Sequence, residues 1–170
     1  MKQGTTVQKL ATASVIAAMY VALTVALPFL SFGPIQCRIA EALTVLAALT
    51  PRAIPGLAVG CAIANLIGIA ANPIGAWDIL VGSLATLLAA ALSYRFRTLC
   101  IKGIPIVSVL MPVVFNAVIV GGELALFLPS GAPWWLVMLQ VGAGELLACV
   151  VLGVPLYVAL SHTTALKKFW

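Results

Sequence analysis

From Leu10 to Leu30 no charged side chain interrupts the sequence, and long apolar runs recur to Leu160. A run of about 20 apolar residues is what a helix needs to cross a hydrocarbon core about 30 Å thick. In lipid every backbone polar group must be satisfied internally, so spanning segments of this kind are helical. Only 8% of the residues are charged and 64% are apolar, whereas a soluble domain is about a quarter charged and about half apolar. The chain therefore reads as an all-α integral membrane protein, one membrane domain over residues 1–170, with no length left for a soluble domain. The first run is too long for the core of a cleavable signal. A net charge of +5 would suggest nucleic acid in a soluble chain. Here it reflects the bias of cytoplasmic loops.

Six transmembrane helices are expected, over about 10–30, 39–50, 53–71, 77–94, 105–127 and 135–160. Pro28, Pro34, Pro51, Pro73, Pro105, Pro129 and Pro133 fall at or near the breaks, where a missing donor does least harm. Pro55, Pro112 and Pro155 lie inside apolar runs and require neighbouring groups to satisfy the carbonyls they free. The second span is short, and is expected to be tilted or to form a bent unit with the preceding loop. With the N-terminus inside, Lys2, Lys9, Arg52, Arg95, Arg97, Lys102, Lys167 and Lys168 all fall on inner segments and Arg38 alone on an outer one. Both termini are then cytoplasmic, in a multi-pass protein of the plasma membrane, bacterial by expectation. Trp77, Trp134 and Trp135 fall at the outer interface as anchors, with Trp77 also a candidate for stacking on a ligand.

The chain holds four carboxylates in all: Glu41, Asp78, Glu123 and Glu145. An acid at the bilayer centre costs about 2.5–3.5 kcal/mol on insertion scales, and an acid kept there is a functional candidate by default. Asp78 opens the fourth span and Glu41 the second, both on the outer side. Glu123 lies about 6 Å and Glu145 about 15 Å below the outer ends of their helices, at 1.5 Å per residue. Asp78 also has a plain alternative as a first-turn acid complementing a helix N-terminus. Asn116 and Glu123 are seven apart and share a face, as do Asn65 and Asn72. Interhelical hydrogen bonding is the ordinary use of such amides. Arg38 and Glu41, three apart, are placed to pair if the helix starts early enough. Gly121, Gly122, Gly142 and Gly144 flank the two deeper acids and permit close approach of backbone or ligand.

Acids and amides together suit a neutral or cationic molecule rich in donors. An amidine-like edge, as on guanine, gives a carboxylate two parallel hydrogen bonds. One outer arginine and no outer lysine argue against phosphate. Cys37, Cys61, Cys100 and Cys149 have no CxxC spacing, and with one histidine, His162, no metal set, cofactor site or catalytic pair is visible. Ala13 and Ala17 form a small-xxx-small face on the first helix, suited either to packing within the subunit or to docking another membrane protein.

Several blocks in order carry a resemblance over nearly the whole chain: Phe32-Gly33-Pro34-Ile35-Gln36-Cys37-Arg38-Ile39-Ala40-Glu41; Pro55-Gly56-Leu57 with Gly60-Cys61 and Ala64-Asn65; Trp77-Asp78 with Gly82-Ser83-Leu84-Ala85-Thr86; Asn116 to Gly121 with Glu123-Leu124; and Gly144-Glu145 with Gly153-Val154-Pro155-Leu156. The chain resembles the QueT-type queuosine-precursor transporter family, S components of energy-coupling factor (ECF) transporters. The resemblance implies a six-helix substrate-capture subunit that takes up a 7-deazaguanine such as preQ1 or preQ0. It implies work with a transmembrane coupling subunit, docked through the motif at Ala13 and Ala17, and with two ATPase subunits. The substrate-binding candidates are Glu123, Glu145, Asn116, Glu41, Asn65, Asp78, Arg38 and Trp77. The chain itself has no GxxxxGK[ST] phosphate loop, so no ATPase chemistry by that route is expected of it. The competing reading is a stand-alone proton-coupled carrier of a small cationic or nucleobase-like solute, using Glu145 or Glu123.

Overall fold

A computed structural model describes residues 5–33, 36–72, 74–127 and 131–163. Lys2, Lys167, Lys168, Pro34, Pro73 and Pro129 lie outside these residues. Among the described residues there are helices and no strand; an isolated bridge between Ile101 and Ile104 closes one turn.

Helix α1, Thr6–Ala26, opens with a capping box: the Thr5 hydroxyl accepts from the Gln8 amide while the Gln8 side chain accepts from the Thr5 amide, satisfying two donors that a helix start leaves free. It is followed by α2, Ile39–Leu49; α3, Ala53–Ile67, prolonged by a 3₁₀ turn to Ala70; α4, Trp77–Arg95; α5, Ile106–Phe127; and α6, Trp134–His162. Five of these are long and apolar enough to cross a membrane.

The exception is α2, which keeps the short length expected over 39–50 but is built largely of 3₁₀ helix. Seven residues of 3₁₀ helix, Ile39–Val45, run into four of α-helix, Leu46–Leu49. At about 2.0 Å and 1.5 Å per residue this covers only about 20 Å, well short of the hydrocarbon core. Every residue from Ala40 to Ala48 is buried, the polar Glu41 and Thr44 included. The unit is an interior plug wrapped by the longer helices. It ends at Thr50, forced into an extended backbone (φ −146°, ψ 134°) by the proline that follows.

The packing of α1 on α3 rests on two small-residue pairs in register. A methyl group added to Gly56 would stand 2.5 Å from the Ala13 carbonyl oxygen, and one on Gly60 would stand 3.0 Å from Ala17 Cα and 2.9 Å from Tyr20 Cβ. Glycine at both positions is what lets the two backbones touch. Ile16, Tyr20, Leu43, Leu57 and Cys61 share the core behind this contact. Beside it, Ala13, Ala17, Ala18, Val21, Pro55 and Val59 border an open apolar groove of about 610 Å³.

The internal prolines are accommodated in different ways. Pro55 falls in the first turn of α3, where its missing N–H has no helical partner in any case. Pro112 lies inside α5, and its ring displaces the carbonyl four residues back, that of Ser108. The Ser93 hydroxyl of α4 donates to that carbonyl at 2.8 Å, and the Ser108 hydroxyl returns a bond to the Ser93 carbonyl at 2.7 Å. Beyond Pro112 the helix widens into a π turn, Asn116–Val120. A second π segment, Ala148–Gly153, interrupts α6 just before Pro155.

Candidate functional site

Arg38 sits at the point where the chain enters α2, in an extended conformation (φ −82°, ψ 93°) and only 2% exposed. The approach through Gln36 and Cys37 presses on α6 at Gly144, where a side chain would collide with the Gln36 carbonyl. Glycine there lets the loop lie inside the helix bundle. From this position the Arg38 guanidinium reaches Asp78 of α4: Nη2 donates to Oδ2 at 3.1 Å. The Asn72 amide donates to the same oxygen at 2.7 Å, and the Asn65 amide donates to the Asp78 carbonyl at 2.6 Å. Gly82, one turn on, leaves room for the Asp78 carboxylate and the Asn65 amide to lie over the helix. The Arg38 guanidinium also lies near Cys61 Sγ, at 3.4 Å, and 5.8 Å from the Phe32 ring centre.

One expectation is corrected here. Arg38 does not pair with Glu41, because the helix begins only at Ile39 and the extended backbone at Arg38 sends its side chain to α4 instead. Asp78 does stand in the first turn of α4, where it is fully buried and held by three side chains.

Glu41, also fully buried, is tied into the opposite wall. Its Oε1 accepts from the Tyr20 hydroxyl of α1 and, at 2.8 Å, from the Thr86 hydroxyl of α4. Its main-chain carbonyl accepts from the Thr44 hydroxyl at 2.6 Å and lies 3.7 Å from the Cys149 thiol. Glu145 of α6 neighbours Asn116 of α5 and the Arg38 main chain, and lies within electrostatic range of Glu41. Glu123 of α5 lies within range of Arg38 and Asp78. Glu41, Asp78, Glu123, Glu145, Asn65 and Asn116 thus converge around Arg38, brought together from α2 to α6. The π turns begin at Asn116 on α5 and three residues beyond Glu145 on α6, the kind of helix irregularity that recurs at functional sites.

Trp77 stands apart. Its ring is 59% exposed and stacks on Phe127, with centroids 6.3 Å apart. Trp134 and Trp135 are exposed as well, consistent with interface anchoring. Tyr20, Thr86 and Gln36 also belong to the buried cluster, although charge and helical spacing do not single them out. Tyr20 continues the Ala13–Ala17 stripe by three residues, and a hydroxyl on that buried line was the available signal.

What distinguishes the cluster is its unused hydrogen-bonding capacity. Among the described residues, seven buried acceptor atoms have no protein partner: Glu41 Oε2, Asn65 Oδ1, Asp78 Oδ1, Asn116 Oδ1, both oxygens of Glu123, and Glu145 Oε2. Against them stand three unpaired donors, Gln36 Nε2, Arg38 Nε and Asn116 Nδ2. Native proteins leave few buried polar groups unpaired, because each costs about 1–3 kcal/mol and a charged one more. An excess of acceptors, with three of the four acids having no ion pair among the described residues, matches a donor-rich, cationic molecule.

Long apolar helices around a buried polar centre define a multi-pass membrane protein. A family model described as "QueT transporter" matches residues 10–162, and the chain belongs to that family of transporters. A relative described as "Queuosine precursor transporter QueT", from Lactococcus lactis subsp. cremoris (strain MG1363), is 36% identical over 84 residues, 48% of this chain and 46% of the relative. The match thus spans about half the length of that curated protein. No solved structure matches.

Proposed function

We propose that the chain is the substrate-binding S component of an ECF-type importer, and that it captures a 7-deazaguanine queuosine precursor in the cluster around Arg38. The observation that carries this reading is the excess of unpartnered buried acceptors. A deazaguanine offers adjacent N–H groups to one carboxylate, and an aminomethyl substituent offers an ammonium to a second. Glu123, Glu145, Glu41, Asn116, Asn65, Asp78 and Arg38 are the proposed contacts. Trp77 enters this list only if the helix ends close inward over the ligand. The relative's description as a queuosine precursor transporter supports the same substrate class.

In this reading α2 is the sixth, foreshortened crossing, both termini are cytoplasmic, and the site opens outward. Arg38 leaves the loop charges altogether by its burial, so the charged residues of the described loops, Arg97 and Lys102 among them, all fall on the inner side. A transmembrane coupling subunit docks on α1, where the groove beside Ala13 and Ala17 offers an apolar surface, and two ATPase subunits supply the energy.

The test is binding followed by transport. The purified chain should be stabilised against heat by 7-aminomethyl-7-deazaguanine more than by the 7-cyano compound, queuine or guanine. In vesicles, uptake should require the coupling and ATPase subunits with ATP. Accumulation by the chain alone under a pH gradient would overturn the S-component reading in favour of a proton-coupled carrier.

A further inference from the structure

Among the acids of the cluster, Glu41 and Asp78 each have one oxygen engaged by two donors and the other without a partner, but Glu41 is held by two neutral hydroxyls where Asp78 is held by a cation. Oε1 takes two hydroxyl donors, from Tyr20 on α1 and Thr86 on α4, while Oε2 is buried with no partner. Two donors from different helices fix the plane of a carboxylate, and with it the direction of the second oxygen. The main chain at Glu41 is held too, through Thr44 and Cys149. Tyr20 is itself immobile: it is fully buried, and its Cβ lies against Gly60 so closely that a methyl group there would be 2.9 Å away. Thr86 is equally buried. Each hydroxyl has committed its single proton to Glu41, so neither is spare as a donor to a ligand.

We infer that Tyr20 and Thr86 are positioning residues for the substrate site: together they aim Glu41 Oε2 at one donor of the bound molecule and keep Glu41 from turning to meet Arg38 or a second donor. The inference rests on the proposed site and adds to it a specificity element contributed by α1, a helix that carries no acid. Glu41 then accepts one hydrogen bond from the substrate in a fixed direction, whereas Glu123, with both oxygens free, can take two.

Isothermal calorimetry with 7-aminomethyl-7-deazaguanine on the full-length chain tests this in a double-mutant cycle. Tyr20→Phe removes only the hydroxyl and keeps the packing against Gly60. It is expected to weaken binding about tenfold or more, the size of losing a buried hydrogen bond to a charged group. In a Glu41→Ala background the same change should alter affinity by less than about twofold, because no carboxylate remains to be aimed. A packing role for Tyr20 predicts equal losses in both backgrounds, and that result overturns the inference. Thr86→Val is the second arm, with the same pattern expected. If Glu41→Ala does not fold, Tyr20→Phe combined with Thr86→Val decides: with both hydroxyls removed, binding should weaken at least as much as in either single variant, and affinity equal to wild type refutes the proposal. A wild-type chain that binds nothing refutes the functional reading itself, and the inference with it. Binding by wild type that is unchanged in both single variants refutes the inference alone.

Discussion

Arg38 and Asp78 form a buried ion pair at 3.1 Å, joining the chain entering α2 to the first turn of α4. The pair lies 40 residues apart in sequence, and it decides which of the four acids are neutralised within the protein. With Arg38 committed to Asp78, and Asn72 and Asn65 bracing the same residue, Glu41, Glu123 and Glu145 have no cation of their own among the described residues.

Breaking this pair from one side should be costly. An uncompensated buried charge destabilises by about 3–5 kcal/mol, whereas replacing both partners with apolar groups of similar volume is often near neutral. Arg38→Met and Asp78→Leu should each lower stability by about that amount, and the double variant should lose clearly less than their sum. Equilibrium unfolding in detergent measures all three. Strict additivity would show that the two side chains do not depend on one another.

Glu145→Gln and Glu123→Gln should weaken 7-deazaguanine binding at least tenfold while leaving the unliganded protein as stable as before. Each change swaps an unpaired acceptor for a donor in a site whose ligand supplies donors, so the mismatch appears on binding. The folded state without ligand loses little, since both Glu123 oxygens and Glu145 Oε2 have no protein partner among the described residues. Calorimetry and thermal unfolding on the same samples separate the two effects, and unchanged affinity in both variants removes these acids from the site.

Much of this arrangement could be read before any coordinates. The long apolar runs bounded by proline place the five long helices to within a few residues, because the hydrocarbon requirement leaves helices little freedom in length. The acids and Asn65 and Asn116 stood out because polar groups in apolar surroundings are expensive. What spacing could not supply was pairing across helices. Arg38 and Glu41 look like a local pair, and only the extended backbone at Arg38 turns the side chain toward Asp78. The 3₁₀ geometry of α2 was equally hidden, since a fully buried segment has no polar face to reveal its period. Tyr20 and Thr86 were missed because a hydroxyl is cheap enough in a membrane helix to pass as ordinary.

The contact between α1 and α3 makes a sharp prediction about glycine. Gly60→Ala places a methyl group against Tyr20 Cβ and the Ala17 backbone, and forcing an extra methyl into a packed interface costs about 1–3 kcal/mol. Gly122→Ala is the control: the added methyl would meet only the flexible end of Met138, at 3.9 Å, and stability should change by less than about 0.5 kcal/mol. The two variants should therefore separate cleanly in thermal unfolding. Equal behaviour would mean that the Gly60 contact is not tight.

Docking of a coupling subunit can be tested without disturbing that interface. Ala17 is buried against Gly60 and Ala13 lies against Gly56, so tryptophan at either position would damage the subunit's own packing as well as any partner contact. Ala18 lines the same groove but is exposed, and a large side chain there projects into the groove and away from α3. Ala18→Trp should therefore abolish co-purification with the transmembrane coupling subunit and stop ATP-driven uptake, while leaving ligand affinity within about twofold of wild type. A substitution on the outer face of α4, Leu80→Trp, at a residue that is 68% exposed, should leave both assembly and uptake intact. If Ala18→Trp assembles and transports normally, the groove beside Ala13 and Ala17 is not the docking surface, and the small residues of α1 serve only to bring it close to α3.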